Sequence, residues 1–218
     1  PPLFRFLLSS LLFSAHFLPS NAHSALPVKA SANFSSPTIT AIQKLAVGAQ
    51  RSNMMSVPTD CDQRDERLGW MGDMALSCDS MCLNYDCTAF ANSFIRAMSD
   101  EMGDDGSLPD VVPYVRYGNR PADVSWSDAF IQSAYVVHKE AGNLDAAKEF
   151  YPSFLKQIGN VASQASGGLA TMHTPYGDWC PPPAVPGNGQ GPKPTKVRSS
   201  SLWFAHILLF AHILLFAT

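Results

Sequence analysis

Apolar residues in the middle of this 218-residue chain recur at helical intervals, and no stretch alternates convincingly with the period of two that a half-buried strand requires. Cys87, Phe90, Ala91, Phe94, Ile95 and Met98 fall on one face of a helix, which the turn Gly103-Asp104-Asp105-Gly106 closes. Ser36 before Pro37 reads as an N-cap with proline at the first helical position. Ile39, Ile42, Leu45, Ala46 and Ala49 share one face of the helix that follows. A second helix is expected to start at Asp73, which would cap the apolar run Met74-Ala75-Leu76. Further helices are expected at about 126–141, carrying Phe130, Ala134 and Val137, and at 144–165, broken or restarted at Pro152. The spacing predicts an all-α fold of helical hairpins. Seventeen prolines and fourteen glycines are too many for a plain bundle, so long loops should join the helices.

Composition narrows the function classes. Charged residues make up only 15%, against about 25% in an ordinary domain, which excludes a charge-rich disordered chain. The 11% of aromatics argues for a packed core. A net charge of −3, from 15 basic and 18 acidic residues, gives no footprint for nucleic acid, and no such partner is expected.

Both ends differ from the middle. Residues 1–32 hold an apolar run, Phe6 to Leu18, behind Arg5 and ahead of small residues at Ala22, Ser24 and Ala25. That is the layout of a secretory signal peptide, and if it is genuine the protein is secreted; the alternative is a leader read from non-coding sequence. Residues 201–218 carry the six-residue repeat FAHILLFAHILLF without a charge. A period of six fits neither helix nor strand, so this tail is read as spurious rather than as a membrane anchor, and no membrane contact is expected. Residues 33–200 form the folded part.

Five cysteines stand at 61, 78, 82, 87 and 180. Cys78 and Cys82 would share a helix face, but without a second cluster they read as packed thiols and not as metal ligands. The odd count argues against a purely disulfide-built scaffold.

The chemistry concentrates in one loop. Asp60, Asp62, Asp65, Glu66, Asp73 and Asp79 place six of the eighteen acids within twenty residues, with Arg64 and Arg67 among them and Trp70 between Gly69 and Gly72. A solvated helix face would intersperse Lys with Glu and avoid tryptophan. Packed carboxylates beside an aromatic platform suit sugar cleavage. One carboxyl must hold a proton for the leaving oxygen, and like charges with an apolar wall favour that. A calcium or salt-bridge loop is the plainer alternative, and no D-x-D-x-D-G pattern supports calcium.

The stretch SVPTDCDQRDERLGWMGDMALS (56–77) closely resembles the signature loop of α-L-rhamnosidases, family 78 of the glycoside hydrolases. The likeness continues upstream through SSPTITAIQKLAVGAQRSNMM and downstream through GSLPDVVPYVRYG, SWSDAFIQSAYVVHKEAGN and YGDWCPP. Asp62 departs from the family, which usually has proline there. The resemblance implies part of an (α/α)6 six-hairpin toroid, truncated at both ends, that hydrolyses terminal α-linked rhamnose with inversion. It places the general acid on Glu66. Asp60, Arg64 and Asp73 match positions that hold rhamnose hydroxyls, and Trp70 matches a wall of the pocket. Trp126, Asp128, Asp178 and Trp179 match later pocket-lining segments. No metal or other cofactor is expected, and the partner implied is a rhamnose-containing glycoside or oligosaccharide.

Inversion needs a second carboxylate about 6.5–9.5 Å from the acid. No Asp or Glu follows Asp178, so this base is expected to lie outside the chain. A carbohydrate-binding remnant without turnover, or a six-hairpin glycosidase for another sugar, are the competing expectations.

Overall fold

The computed structural model describes residues 23–64, 66–115 and 118–165. Seven α-helices order these residues: α1 (Pro37–Ser52), α2 (Met71–Asn84), α3 (Thr88–Asp100), α4 (Val124–Ser127), α5 (Ala129–Ala141), α6 (Asp145–Glu149) and α7 (Tyr151–Ser163). A short 3-10 turn, Asp62–Arg64, lies in the acidic loop. No strand forms among the described residues, which contain only isolated bridges. The all-α expectation holds.

The core forms where α5 packs against both α2 and α3. On α3, Phe90, Ala91, Phe94, Ile95 and Met98 are all buried, as their spacing dictates. Each of the larger side chains contributes about 1.5–3 kcal/mol by leaving water. Phe94→Ala, at the centre of this stripe, would cost about 3–5 kcal/mol. On α5, Phe130, Ala134 and Val137 point inward, and Phe130 meets Phe154 of α7 edge-on with ring centroids 4.6 Å apart. Gly142, with φ of 66°, ends α5, and its N–H returns to the carbonyl of His138.

Four boundaries and faces differ from the sequence reading. The second helix starts at Met71 and not at Asp73, because the first exposed N–H, that of Met71, is satisfied by the carbonyl of Asp110 at 2.9 Å. The helix expected over 126–141 is two helices, divided at Asp128. The break expected at Pro152 falls at Phe150, so that Pro152 sits in the first turn of α7, where its missing N–H costs nothing. The apolar face of α1 does form but is uncovered: Ile39, Ile42 and Leu45 are 49%, 59% and 73% exposed.

Besides Val47, which packs against the core, polar bonds hold α1. Gln43 Nε2 donates to Asn84 Oδ1, Asn84 Nδ2 donates to Gln50 Oε1, and Gln50 Nε2 donates to Ser80 Oγ. The Tyr85 hydroxyl adds a bond to the carbonyl of Val47. These partners come from the last turns of α2 and the residue after it.

Cysteine usage is corrected in part: Cys78 is a packed thiol, as expected, and Cys82 is not. Cys82 and Cys87 form a disulfide, with Cα atoms 5.2 Å apart, that closes the turn between α2 and α3. Cys78 is a buried free thiol, pushed up to about 12 by burial, and Cys61 is free and half-buried. Residues 1–22, residues 201–218 and Cys180 lie outside the described residues. No described helix is long and apolar enough to cross a membrane.

Candidate active site

The acidic loop is folded back on Asp60. The Asp60 N–H donates to the carbonyl of Leu68 at 3.0 Å, and Asp60 Oδ1 accepts the N–H of Leu68 at 2.8 Å. This two-rung closure leaves Asp60 only 6% exposed. Within the loop, Cys61 and Arg67 take left-handed backbone with φ of 33° and 50°. Asp65 lies outside the described residues.

The loop's exit is fixed by a second segment. The Val112 N–H donates to the carbonyl of Gly69 at 2.8 Å, and Trp70 bridges to Val111. The Val112 carbonyl stands where a Cβ on Gly69 would be, so only glycine allows this approach. Residues 110–112 are held in turn by Asp110, which is fully buried. Its Oδ1 accepts the Asn119 N–H at 2.6 Å and its Oδ2 accepts Asn119 Nδ2 at 3.0 Å. Sequence reasoning missed Asp110. A lone acid after Pro109 gives no periodic signal, and its partner lies nine residues on.

This scaffold brings the expected residues together. The carboxylate of Glu66 takes the Trp70 indole N–H on Oε1 at 3.2 Å and pairs with Arg64 Nη2 through Oε2 at 3.1 Å. One carboxylate oxygen of Asp60, one of Glu66 and Sγ of Cys61 lie within 4.8 Å of one another. Asp73, in the first turn of α2, remains open to solvent. Partial desolvation first, and then the charges of Asp60 and Glu66, raise its carboxyl above the usual carboxylate range. Two like charges near Asp73 thus mark the loop as a place where one more negative charge is resisted.

Trp126, on α4, reaches the same end of α2. A Cβ on Gly72 would come within 2.8 Å of its indole, so the ring rests on the first helical turn beside Asp73. Asp128, two residues on, is buried at 3% exposure, and its Oδ2 meets no hydrogen-bond donor among the described residues. Burial pushes its carboxyl up to about 7. Asp128 therefore joins the interior rather than the surface that carries Glu66. Asp178 and Trp179 lie outside the described residues.

A small crevice elsewhere, about 10 Å³, is lined by Gly106, Leu108, Pro121, Gln157 and Val161 among others. It holds none of the acidic-loop residues and has room for roughly one water.

The fold has counterparts in known proteins. Two solved structures share the fold: that of an α-L-rhamnosidase from Dictyoglumus thermophilum matches with a TM-score of 0.69 and 32% identity over 87% of this chain and 20% of its own. A Streptomyces avermitilis α-L-rhamnosidase, complexed with L-rhamnose, matches with a TM-score of 0.74 and 24% identity over 87% of this chain and 17% of its own. In sequence, an α-L-rhamnosidase of Alteromonas sp. (strain LOR) is 33% identical over 64% of this chain and 15% of its own length. The chain thus spans about 15–20% of the length of these relatives. The family model for the bacterial alpha-L-rhamnosidase 6 hairpin glycosidase domain matches residues 28–210. Since that match takes in the acidic loop and every described helix, the chain belongs to the six-hairpin glycosidase family of the bacterial α-L-rhamnosidases.

Proposed function

We propose that this chain carries the proton-donor side of a site that hydrolyses terminal α-L-rhamnosyl residues from glycosides with inversion. The observation that supports it is the setting of Glu66, held between Trp70 and Arg64 and facing Asp60 and Asp73 on an exposed loop end. Glu66 is the acid. Arg64, Asp60 and Asp73 hold sugar hydroxyls, and Trp70 and Trp126 supply apolar walls on which the ring rests.

The two donors on Glu66 set a condition for this chemistry. One of its oxygens must be released before it can carry a proton to a leaving group.

Asp60 does not serve as the second carboxylate. It approaches Glu66 within 4.8 Å, closer than the gap of about 6.5–9.5 Å that admits the attacking water. One of its oxygens is also committed to Leu68. Nor is the second carboxylate among the residues that follow Asp178, which include no acid.

The test compares this chain alone with the chain joined to the remaining toroid segment of the Dictyoglumus relative. Alone, it should hydrolyse aryl α-L-rhamnosides little or not at all. Joined, it should turn over, and Glu66→Gln should slow unactivated rhamnosides by about 10²–10⁴-fold while sparing activated ones. A Glu66→Gln protein that matches wild type on unactivated rhamnosides would overturn the assignment. Rhamnose binding without turnover in the joined protein would favour a carbohydrate-binding role.

A further inference from the structure

Cys61 stands at an unusual place in the acidic loop. Its backbone is left-handed, φ 33°, a conformation that glycine adopts at less cost, yet the position carries a side chain. Its carbonyl accepts the N–H of Arg64 at 3.0 Å and that of Glu66 at 3.4 Å. Its Sγ accepts Nη2–H of Arg64 at 2.7 Å. One carboxylate oxygen of Asp60 lies within 4.8 Å of the same Sγ. One residue therefore contacts Arg64 and Glu66 directly and neighbours the Asp60 carboxylate.

We propose that Cys61 is a positioning residue whose thiol, set between Asp60 and Arg64, holds the Arg64 guanidinium against Glu66. A sulfhydryl suits the task because it has one proton to give and lone pairs to receive. The lone pairs face Arg64, and the S–H is left to turn toward the Asp60 carboxylate, within 4.8 Å on the other side. Partial burial and the nearby Asp60 raise the thiol above its ordinary range, with Arg64 pulling the other way, which keeps that proton in place. Arg64 is otherwise a long, exposed side chain with every reason to wander; the Cys61 contact is what fixes its head within 3.1 Å of Glu66. The meaning of this hold rests on Glu66 as the acid, but the hold itself is read without any sugar.

The experiment is NMR of the full chain labelled with 15N-arginine, the Arg64 signals being identified by their loss in Arg64→Lys. In the wild type, restricted rotation should give separate Nη resonances for Arg64. Cys61→Gly removes the thiol while relieving the left-handed backbone, and should collapse them to one averaged resonance with a thermal midpoint no lower than wild type. Cys61→Ala, which keeps the Cβ, should give the same collapse and serves if the glycine variant does not fold. Cys61→Ser, whose hydroxyl both donates and accepts, should restore the separate resonances. Separate Arg64 resonances in a folded Cys61→Gly or Cys61→Ala protein, or averaged ones in the wild type, would overturn the proposal. Adding L-rhamnose to the wild type decides the other question. If no Arg64 resonance moves, the sugar-site reading fails while the hold of Cys61 on Arg64 stands or falls on the variants alone.

Discussion

Gly72 lies directly against the indole of Trp126, so that a Cβ built on it would stand 2.8 Å from both Nε1 and Cε2 of the ring. This contact joins the first turn of α2 to α4 and sets where Trp126 meets the acidic loop. Gly72→Ala should push the ring outward. Overpacking typically costs about 1–3 kcal/mol, and the better helix propensity of alanine returns about 1 kcal/mol. A net loss in urea unfolding with a shifted tryptophan emission is the expected result. Unchanged emission with a gain of stability would show that the ring has room to spare.

Asp128 makes stability depend on pH. Its folded carboxyl, raised to about 7 by burial, binds a proton that the unfolded chain has released above its ordinary value of about 3.9. The folded state thus holds more protons between about pH 4 and 7, and stability should fall as pH rises through that window. Asp128→Asn should flatten this slope and stabilise the protein above pH 7 by about 1–3 kcal/mol. Chemical unfolding of both proteins at pH 5 and pH 8 measures it; parallel curves would refute the account.

The Cys82–Cys87 link spans five positions, a short loop. Closing so short a loop is worth about 2 kcal/mol on the chain-entropy model. A reductant, or the paired change Cys82→Ser with Cys87→Ser, should lower the unfolding midpoint in urea accordingly. The α2–α3 turn should lose amide protection before α5 does. Equal midpoints with and without reductant would show that the link adds nothing to the folded state.

The uncovered face of α1 should drive association. Ile39, Ile42 and Leu45 lie exposed on α1, and contiguous apolar patches of this kind promote self-contact. Replacing all three by lysine should raise solubility and shift light scattering toward monomer, with little change in helix content. Loss of helix signal on this replacement would mean that the face is covered in solution.

Legibility followed from what each feature depends on. The stripe of α3 and the inward face of α5 depend on local spacing alone, and both lie buried where that spacing puts them. The acidic loop was visible because its residue types are improbable together. The start of α2 was not, since it depends on a carbonyl from Asp110 far along the chain. The face of α1 was readable as a face, but spacing carries no information about what covers it. Cys82 and Cys87 needed the turn between two helices before their sulfurs could meet. Asp110 itself is an interior acid satisfied by one distant asparagine, a pattern without any sequence period.

The pairing of Gly69 with Val112, and of Met71 with Asp110, has a bearing on the order of folding. The acidic loop borrows its exit geometry from a segment that arrives only after the whole α2–α3 hairpin has been made. Loop closure over such a span is entropically slow compared with forming the hairpin itself. The hairpin is therefore expected to form early and locally, and the constellation around Glu66 late, with the step that seals Asp110 inside. A peptide of residues 56–77 alone would hold every charged group of the loop and none of its shape.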